Sequence, residues 1–216
     1  MHVLIIGAGG HAQVVADILM RAREVGGPLE PVGYLDDNPG LYGQNLLGLP
    51  VLGRLTALAQ VAQDVLVVGI GDNSVRQSLF ERLQQQGERF IIACHPSVVI
   101  APDVQVGPGS VICAGSVVNP GSIVGANVIL NTGCIVDHHS YIGPHVHIAP
   151  GSHLGGEVTV GEGALIGIGA TVMPRRRIGA WSVVGAGSLV HEDLPDRVTA
   201  VGMPARIVRA QPNARG

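Results

Sequence analysis

Large aliphatic side chains recur at every sixth position through the second half of the chain. Sixteen consecutive positions in this phase are Ile, Leu or Val, beginning at Ile100 and ending at Val190. From Ser110 to Ser188, the position four residues after each of them is Ser, Cys, Ala or Val, apart from Arg176. A strict six-residue period is typical of a parallel β-helix. The pattern therefore predicts a repeat architecture for this half of the chain.

Side-chain alternation within each six-residue unit predicts the shape of the coil. In an extended strand, the fifth and first positions point to one side, and the sixth and second point to the other. The third and fourth positions then form corners, where Gly, Pro and Asn recur, as in Pro108-Gly109 and Ala126-Asn127. Three strands and three corners make one triangular coil, so the repeats predict about five stacked coils. Aliphatic side chains fill this prism.

Short apolar runs separated by polar turns precede the repeat. Strands are predicted over residues 2–7, 31–35, 65–70 and 90–93, with helices over 12–23 and 75–86. This β-α-β-β-α-β order predicts a small Rossmann-like parallel sheet. The first three strands each end at a polar turn, at the carboxyl edge where such sheets bind their ligands. The fold class is therefore an α/β domain followed by a parallel β-helix.

The glycine turn Gly7 to His11 has two explanations. Many strand-to-helix turns need glycine for geometry alone, whereas Gly7-x-Gly9-x-x-Ala12 also fits a dinucleotide fingerprint. Fewer than a hundred residues precede the repeat, which is about half of a full dinucleotide-binding fold. A single nucleotide is the more economical ligand.

Composition narrows the class of protein. The chain has 32 glycines and only six aromatic residues, which favours tight repetitive turns. A formal net charge of −3 gives no indication of a nucleic-acid partner or a membrane surface. Cys94, Cys113 and Cys134 form no Cys-x-x-Cys pair and are predicted to be reduced thiols. Without a signal peptide or a long apolar run, we expect a cytoplasmic protein.

Five histidines fall close together at His138, His139, His145, His147 and His153. The repeat phase places His138 and His139 at a corner, and it points His147 and His153 outward from strands. Three interpretations are open for such residues. They are solvated surface side chains, ligands of a metal shared between subunits, or general bases, since imidazole titrates near neutral pH.

The residues around these histidines resemble a known family. The stretch 131–139 followed by 145–151 is similar to the sugar O- and N-acyltransferases of the sialic-acid and bacillosamine pathway type, within the hexapeptide-repeat acyltransferases. The Gly7 to His11 turn, the Asp36-Asp37 pair and the closing segment 202–206 also match, so the resemblance covers about residues 2 to 207. It implies a left-handed coil, although crossovers between parallel strands are normally right-handed.

The resemblance also implies a domain organisation and a donor. Residues 1–93 would bind a nucleotide-sugar, 94–190 would form the left-handed β-helix acyltransferase domain, and 191–216 would be a C-terminal tail or cap. Acetyl-CoA would be the acyl donor, no metal would be required, and the product would serve glycan biosynthesis. Three chains would associate as a homotrimer with acetyl-CoA in the clefts between adjacent prisms.

Individual roles carry over position by position. His138 would be the catalytic base. Asn131 and His147 would lie beside the thioester, with His147 donating to its carbonyl oxygen. Backbone at Ile168 and Ala186 would contact the pantetheine arm. The nucleotide-sugar contacts would be Gly9, Gly10, His11, Asp36, Asp37 and Gly71.

One position departs from the family. An acidic residue usually follows the catalytic histidine and raises its basicity, but here that residue is His139, which we also assign to the catalytic site. A neutral imidazole cannot stabilise an imidazolium as a carboxylate does. Asp137 is the alternative partner, although strand alternation can direct it elsewhere.

Acetyl transfer to an amine on a nucleotide-linked sugar is the first functional hypothesis. O-acetylation of a sugar such as sialic acid is the close alternative. A β-helix zinc enzyme of the carbonic anhydrase type and an inert nucleotide-sugar sensor are the alternatives from other classes.

Overall fold

The N-terminal region is a three-stranded parallel sheet with one helix on each face. The computed structural model describes residues 1–210, and the strand order in this sheet is β2-β1-β5. The elements are β1 (His2–Ile6), α1 (Gly10–Glu24), β2 (Glu30–Leu35), β3 (Asn45–Leu46), β4 (Leu49–Pro50), β5 (Val65–Val68) and α2 (Asn73–Gln85), with 3-10 turns at Pro39–Leu41 and Leu55–Gln60.

Alternation along β1 divides the core of this region between the two helices. Val3 and Ile5 pack with the buried face of α1, whereas Leu4 and Ile6 pack with Phe80 of α2. These four side chains of β1 are at most 2% exposed. The central strand is therefore buried on both faces, as parallel sheets require.

The remainder of the described chain is a left-handed β-helix of two-residue strands. Three sheets form its sides. Their elements are β6 (Ala93–Cys94), β7 (Val99–Ile100), β8 (Gln105–Val106), β9 (Val111–Ile112), β10 (Val117–Val118), β11 (Ile123–Val124), β12 (Ile129–Leu130), β13 (Ile135–Val136), β14 (Tyr141–Ile142), β15 (His147–Ile148), β16 (His153–Leu154), β17 (Thr159–Val160), β18 (Leu165–Ile166), β19 (Thr171–Val172), β20 (Arg177–Ile178), β21 (Val183–Val184), β22 (Leu189–Val190), β23 (Val198–Val201) and β24 (Arg206–Ala210).

We name the three sides of the prism by their neighbours. The domain face contains β6, β9, β12, β15, β18, β21, β23 and β24, the second face contains β7, β10, β13, β16, β19 and β22, and the third face contains β8, β11, β14, β17 and β20. Outward residues of the first strands of the domain face, such as Val111 and Ile129, are fully buried, and Val111 packs in one cluster with α1. The N-terminal region therefore covers this part of the face.

Two corners of the prism matter for the site. The first edge joins the domain face to the second face and carries Thr132, Pro150, Ile168 and Ala186 at equivalent positions of successive coils. The opposite edge joins the second and third faces and carries Pro120, His138, Gly156 and Pro174. The opposite edge is the corner that does not border the domain face.

Several element boundaries differ from the predictions. The predicted strand over 90–93 is divided, because Phe90 forms a single bridge with Leu66 whereas β6 pairs with β9 in the prism. Helix α2 begins two residues before the predicted position, since the Asp72 side chain accepts hydrogen bonds from the Ser74 and Val75 amides and caps it. The second face holds six strands, which corrects the estimate of five coils.

The C-terminal segment extends the domain face with β23, which pairs with β21, and with the antiparallel strand β24. Residues 211–216 of the predicted tail lie outside the described residues. Among residues 1–210, no helix is both long enough and apolar enough to cross a membrane.

A pair of neighbouring residues in β16 tests the inward and outward assignment. Leu154 is 2% exposed inside the prism, and His153 points to solvent. Leu154→Ala should lower the free energy of unfolding by about 2–5 kcal/mol, because it leaves a cavity in a close-packed core. His153→Ala should change it by less than about 0.5 kcal/mol. Denaturant titration measures both, and equal effects would contradict the assignment.

Candidate active site

A groove opens at the carboxyl edge of the N-terminal sheet, where the three polar turns meet. It consists of two adjoining cavities of about 530 and 450 Å³, which share Asp37, Leu55 and Arg82. The larger cavity is also lined by Gly7, Asp36 and Ile70, which follow or end the three parallel strands. The groove is large enough for a nucleotide and occupies the position at which parallel sheets bind ligands.

The two aspartates of this groove have different contacts. The Asp36 carboxylate accepts hydrogen bonds from the Ala8 amide at 2.7 Å and the Asn38 amide at 2.8 Å. It therefore ties the glycine turn to the turn after β2. Asp37 is exposed and lines both cavities, and its Oδ1 atom accepts from the Leu55 amide at 2.9 Å.

A second cluster forms where α1 and the β5 turn meet the domain face. The rings of His11 and His147 have centroids 6.5 Å apart. His147 Nε2 lies 3.1 Å from Asn131 Nδ2, and Asn131 Oδ1 accepts from the Thr132 amide at 2.8 Å. The amide group of Asn131 is thereby oriented with its nitrogen towards His147. His147 Nε2 is therefore an acceptor in this arrangement.

Burial and positive charge keep this cluster neutral. Burial, followed by the charge of Arg76, lowers the pKa of His11 to about 4. Burial, Arg76 and then His11 lower the pKa of His147 to about 4, against a backbone hydrogen bond with Gly71 that raises it. His11 Nε2 is a buried atom without a hydrogen-bond partner in the described chain. His147 is thus not the solvated strand histidine that was one interpretation of the sequence.

The first edge of the prism continues this cluster. A cavity of about 460 Å³ lies between α1 and this edge, and its lining includes Gly10, Leu47, Ala114 and Thr132. Ile168 is 62% exposed further along the same edge, and Ala186 is exposed one coil beyond it. Gly9 and Gly10 are exposed at the start of α1. The residues predicted to contact pantetheine therefore line one exposed ridge.

The opposite edge carries the predicted catalytic pair. His138 and His139 are exposed, and their Nδ1 atoms lie 3.1 Å apart with the rings edge to face. One of these nitrogens must carry a hydrogen and the other must accept it. If His138 is the donor, its Nε2 atom has a free lone pair directed away from His139.

Asp137 is engaged by other groups. Its Oδ1 atom accepts from Asn119 Nδ2 at 2.7 Å and from the His138 backbone amide at 2.8 Å. The Asn119 hydrogen bond is the main reason that the pKa of Asp137 is lowered. Of the two residues flanking His138, His139 is the one whose side chain forms a hydrogen bond with the His138 ring.

Two glycines leave room for the histidine rings. A Cβ atom at Gly156 would lie 2.5 Å from Cε1 and Nε2 of His138. A Cβ atom at Gly121 would lie 2.6 Å from Cδ2 of His139. His139 occupies the fourth position of its six-residue unit and has a left-handed backbone with φ of 56°. The six-residue pattern places Gly156 and Gly121 at corners, but it does not predict that they make room for the histidine rings.

The predicted site residues thus form two groups, one around the groove, the His11–His147 cluster and the first edge, and the other on the opposite edge. The first group comprises Gly9, Gly10, His11, Asp36, Asp37, Gly71, Asn131, His147, Ile168 and Ala186. The second comprises His138 and His139. His145 belongs to neither, since its Nδ1 atom lies 2.8 Å from Asn127 Nδ2 and its ring packs against Phe80.

Comparison with known proteins places this geometry in a family. A family model described as the PglD N-terminal domain matches residues 2–83. PerB from Caulobacter crescentus, solved with CoA and GDP-perosamine, is 40% identical with a TM-score of 0.88, and the match covers 97% of this chain and 98% of PerB. The chain belongs to the bacillosamine-type sugar acyltransferase family. It is therefore an enzyme of the acyltransferase class.

Two further relatives support the assignment of this acyltransferase to the family. The acetyltransferase domain of PglB from Neisseria gonorrhoeae FA1090 is 34% identical with a TM-score of 0.88, and the match covers 96% of this chain and 99% of that domain. UDP-N-acetylbacillosamine N-acetyltransferase from Bacillus subtilis is 39% identical over 103 residues, 46% of this chain. That match spans 45% of the curated relative, less than half its length.

The family assignment favours the acyltransferase over the zinc-enzyme alternative. Within residues 1–210, no group of three or more His, Cys, Asp or Glu side chains is arranged to hold a metal ion. The predicted independence from metal remains a prediction.

The contact between Gly156 and His138 gives a test of the candidate base. Gly156 does not have a left-handed backbone, so alanine is compatible with its conformation, but the new methyl group would displace the His138 ring. Gly156→Ala should lower turnover roughly 10- to 100-fold, because small displacements of a catalytic group are costly. Its melting temperature should stay close to that of the parent enzyme. Turnover equal to that of the parent enzyme would show that catalysis does not depend on the position of the His138 ring.

Proposed function

We propose that this acyltransferase moves the acetyl group of acetyl-CoA to an amino group on a sugar linked to a nucleoside diphosphate. The supporting relatives include PerB with CoA and GDP-perosamine, and the PglB domain in complex with acetyl coenzyme A. The observation that carries the proposal is the His138–His139 contact, because it leaves His138 Nε2 free to act as a base. The nucleotide would occupy the groove lined by Asp36 and Asp37.

The chemistry requires one proton acceptor. The neutral amine attacks the thioester carbonyl carbon, and a C–N bond forms as the carbonyl oxygen gains negative charge. His138 Nε2 takes a proton from the nitrogen as the tetrahedral intermediate forms. The C–S bond then breaks, and the proton on His138 passes to the leaving CoA sulfur. General bases contribute about 10²- to 10⁴-fold to such rates.

His139 takes the place of the acidic residue of the family as a positioning residue. In this arrangement, His138 Nδ1–H donates to His139 Nδ1 over the 3.1 Å contact. The hydrogen bond fixes the tautomer of His138 and orients its ring over Gly156. Because a neutral partner stabilises imidazolium less than a carboxylate does, His138 should be a weaker base than in relatives with the acid.

The two-edge arrangement supports a site completed by a second copy of the chain. The groove, His147 and the first edge border the domain face, whereas His138 lies at the corner away from that face. Packing the opposite edge of one protomer against the first edge of the next would bring both groups together. Three prisms arranged by this rule close into a ring, which is the homotrimer that we propose. A cytoplasmic location remains a prediction.

The acceptor is tested by measuring CoA release with a panel of substrates. The panel contains UDP-, GDP- and CMP-linked sugars, each as an amino sugar and as its hydroxyl counterpart. We expect thiol release with at least one nucleotide-linked amino sugar and an amide in the product. Release with hydroxyl acceptors alone would replace the proposal with O-acetylation, for which a short match to galactoside O-acetyltransferase from Lactococcus lactis exists. No release with any acceptor, despite tight nucleotide binding, would favour the sensor.

Substitutions of the histidine pair test the mechanism. His138→Ala should lower turnover roughly 10²- to 10⁴-fold with little change in acetyl-CoA binding. His139→Ala should have a smaller effect on turnover, whereas His139→Glu should increase it, because a carboxylate stabilises the imidazolium. Steady-state kinetics and isothermal titration with CoA measure these effects. An unchanged turnover in His138→Ala would remove this residue as the base.

A further inference from the structure

Arg76 is a buried arginine at the junction of the N-terminal domain and the prism. It lies on α2 and is 1% exposed. Its guanidinium donates to carbonyl oxygens of both regions and to one side chain. The acceptors are Ile70 O and Gly71 O at 3.2 Å, Asn127 O at 3.1 Å, His145 O at 2.7 Å, Val146 O at 3.4 Å and Asn73 Oδ1 at 2.9 Å.

The charge of this guanidinium is not neutralised by an ion pair. Within residues 1–210, no carboxylate oxygen lies within 4.0 Å of it. Burial lowers the pKa of Arg76 to about 10, although the charge of Asp72 acts to raise it. Arg76 therefore remains protonated at neutral pH. A buried charge held only by neutral acceptors costs stability that a neutral residue would not.

The acceptors of Arg76 connect two parts of the site. Ile70 lines the nucleotide groove, and Gly71 contacts His147 through its backbone. His145 and Val146 immediately precede His147 in the prism. Arg76 thus fixes the turn after β5 and the segment leading into β15 in one hydrogen-bonded arrangement.

We infer that Arg76 is a positioning residue that holds Gly71 and the segment before His147 together, and so keeps the His147 ring in place with its Nε2 atom accepting from Asn131. The chemical need follows from the Asn131 amide, whose Oδ1 is already occupied by the Thr132 amide. With His147 as an acceptor, one Asn131 N–H is held by the ring and the other is available to the thioester carbonyl oxygen. This last step rests on the proposed function and assigns to Asn131 the donor role that the family resemblance gives to His147.

Protonation of His147 would break this arrangement. An imidazolium has two N–H donors and no acceptor, so Nε2 would face the Asn131 nitrogen with hydrogens on both sides. The titratable or charged groups acting on His147 from the packed elements are His11 on α1 and Arg76 on α2. Since His11 also has its pKa lowered to about 4, Arg76 is the permanent charge among them.

The inference is tested first on the parent protein by ¹⁵N NMR of the histidine rings, with the His147 signals assigned by their loss in His147→Asn. We expect a neutral Nδ1–H tautomer with a bare Nε2 atom between pH 5 and 8, which is a range chosen around the ordinary histidine pKa of about 6.5. A His147 ring that is mostly protonated anywhere in this range, or the Nε2–H tautomer, would overturn the inference. This readout does not depend on the identity of the sugar, so it fails separately from the proposed function.

Variants at position 76 separate the effect of the Arg76 charge on His147 from the effect of Arg76 on packing. Arg76→Met removes the charge and should move the His147 titration to higher pH. Arg76→Lys keeps the charge, so the titration should stay near the parent value although the melting temperature falls. The matched control is Gln77→Ala, which removes a 2.8 Å contact from α2 to Glu162 on the prism but no charge near His147. An unchanged titration in Arg76→Met would show that Arg76 acts only in packing.

If Arg76→Met does not fold, Arg76→Lys still tests the inference through its kinetics. The lysine ammonium has three donors instead of five and cannot hold both segments. Turnover should fall at least tenfold, with acetyl-CoA affinity changed less than threefold. Parent-like turnover in this variant would contradict a positioning role.

Discussion

The register between successive coils of the prism is the constraint on which the structure depends. Each inward aliphatic residue pairs with its counterpart on the next coil, as Val118 does with Val136 and Val136 with Leu154. A slip of one residue would turn the aliphatic set outward, so the hydrophobic effect fixes the register. Fixed register also fixes the corners. It places the His138 ring over Gly156 and aligns Thr132, Pro150, Ile168 and Ala186 along one edge.

Local patterns predicted the prism because its contacts repeat at a constant spacing. The six-residue period identified the inward positions, and the glycine and aspartate turns identified the carboxyl edge of the N-terminal sheet. The contacts between regions could not be predicted in the same way. His147 occupies an outward strand position, and only the packing of the N-terminal domain on that face lowers its pKa to about 4. Arg76 is one polar residue in an amphipathic helix, and three of its six acceptors lie on prism segments more than fifty residues away in the sequence. The 3.1 Å contact of His138 with His139 depends on the left-handed conformation of His139.

The candidate site combines a neutral cluster with an exposed histidine that we propose as the base. Burial and the Arg76 charge keep His11 and His147 unprotonated beside Asn131, where hydrogen-bond geometry rather than charge would orient the thioester. His138 lies on another edge with a histidine partner in place of a carboxylate. This division explains why one chain holds every expected residue without bringing them together. In our account, association of identical prisms completes the site, so catalysis and assembly depend on the same surfaces.

The central claim is that the base and the acceptor groove of each active site come from different protomers. Mixed assemblies of His138→Ala and Asp37→Arg, each inactive alone and each carrying its own affinity tag, test this claim directly. Assemblies selected for both tags should show recovered CoA release from up to about one third of their sites, because one of the three shared sites in a mixed trimer combines an intact His138 with an intact groove. Activity no greater than that of His138→Ala or Asp37→Arg measured alone would contradict the account, because it would show that each chain builds its site alone.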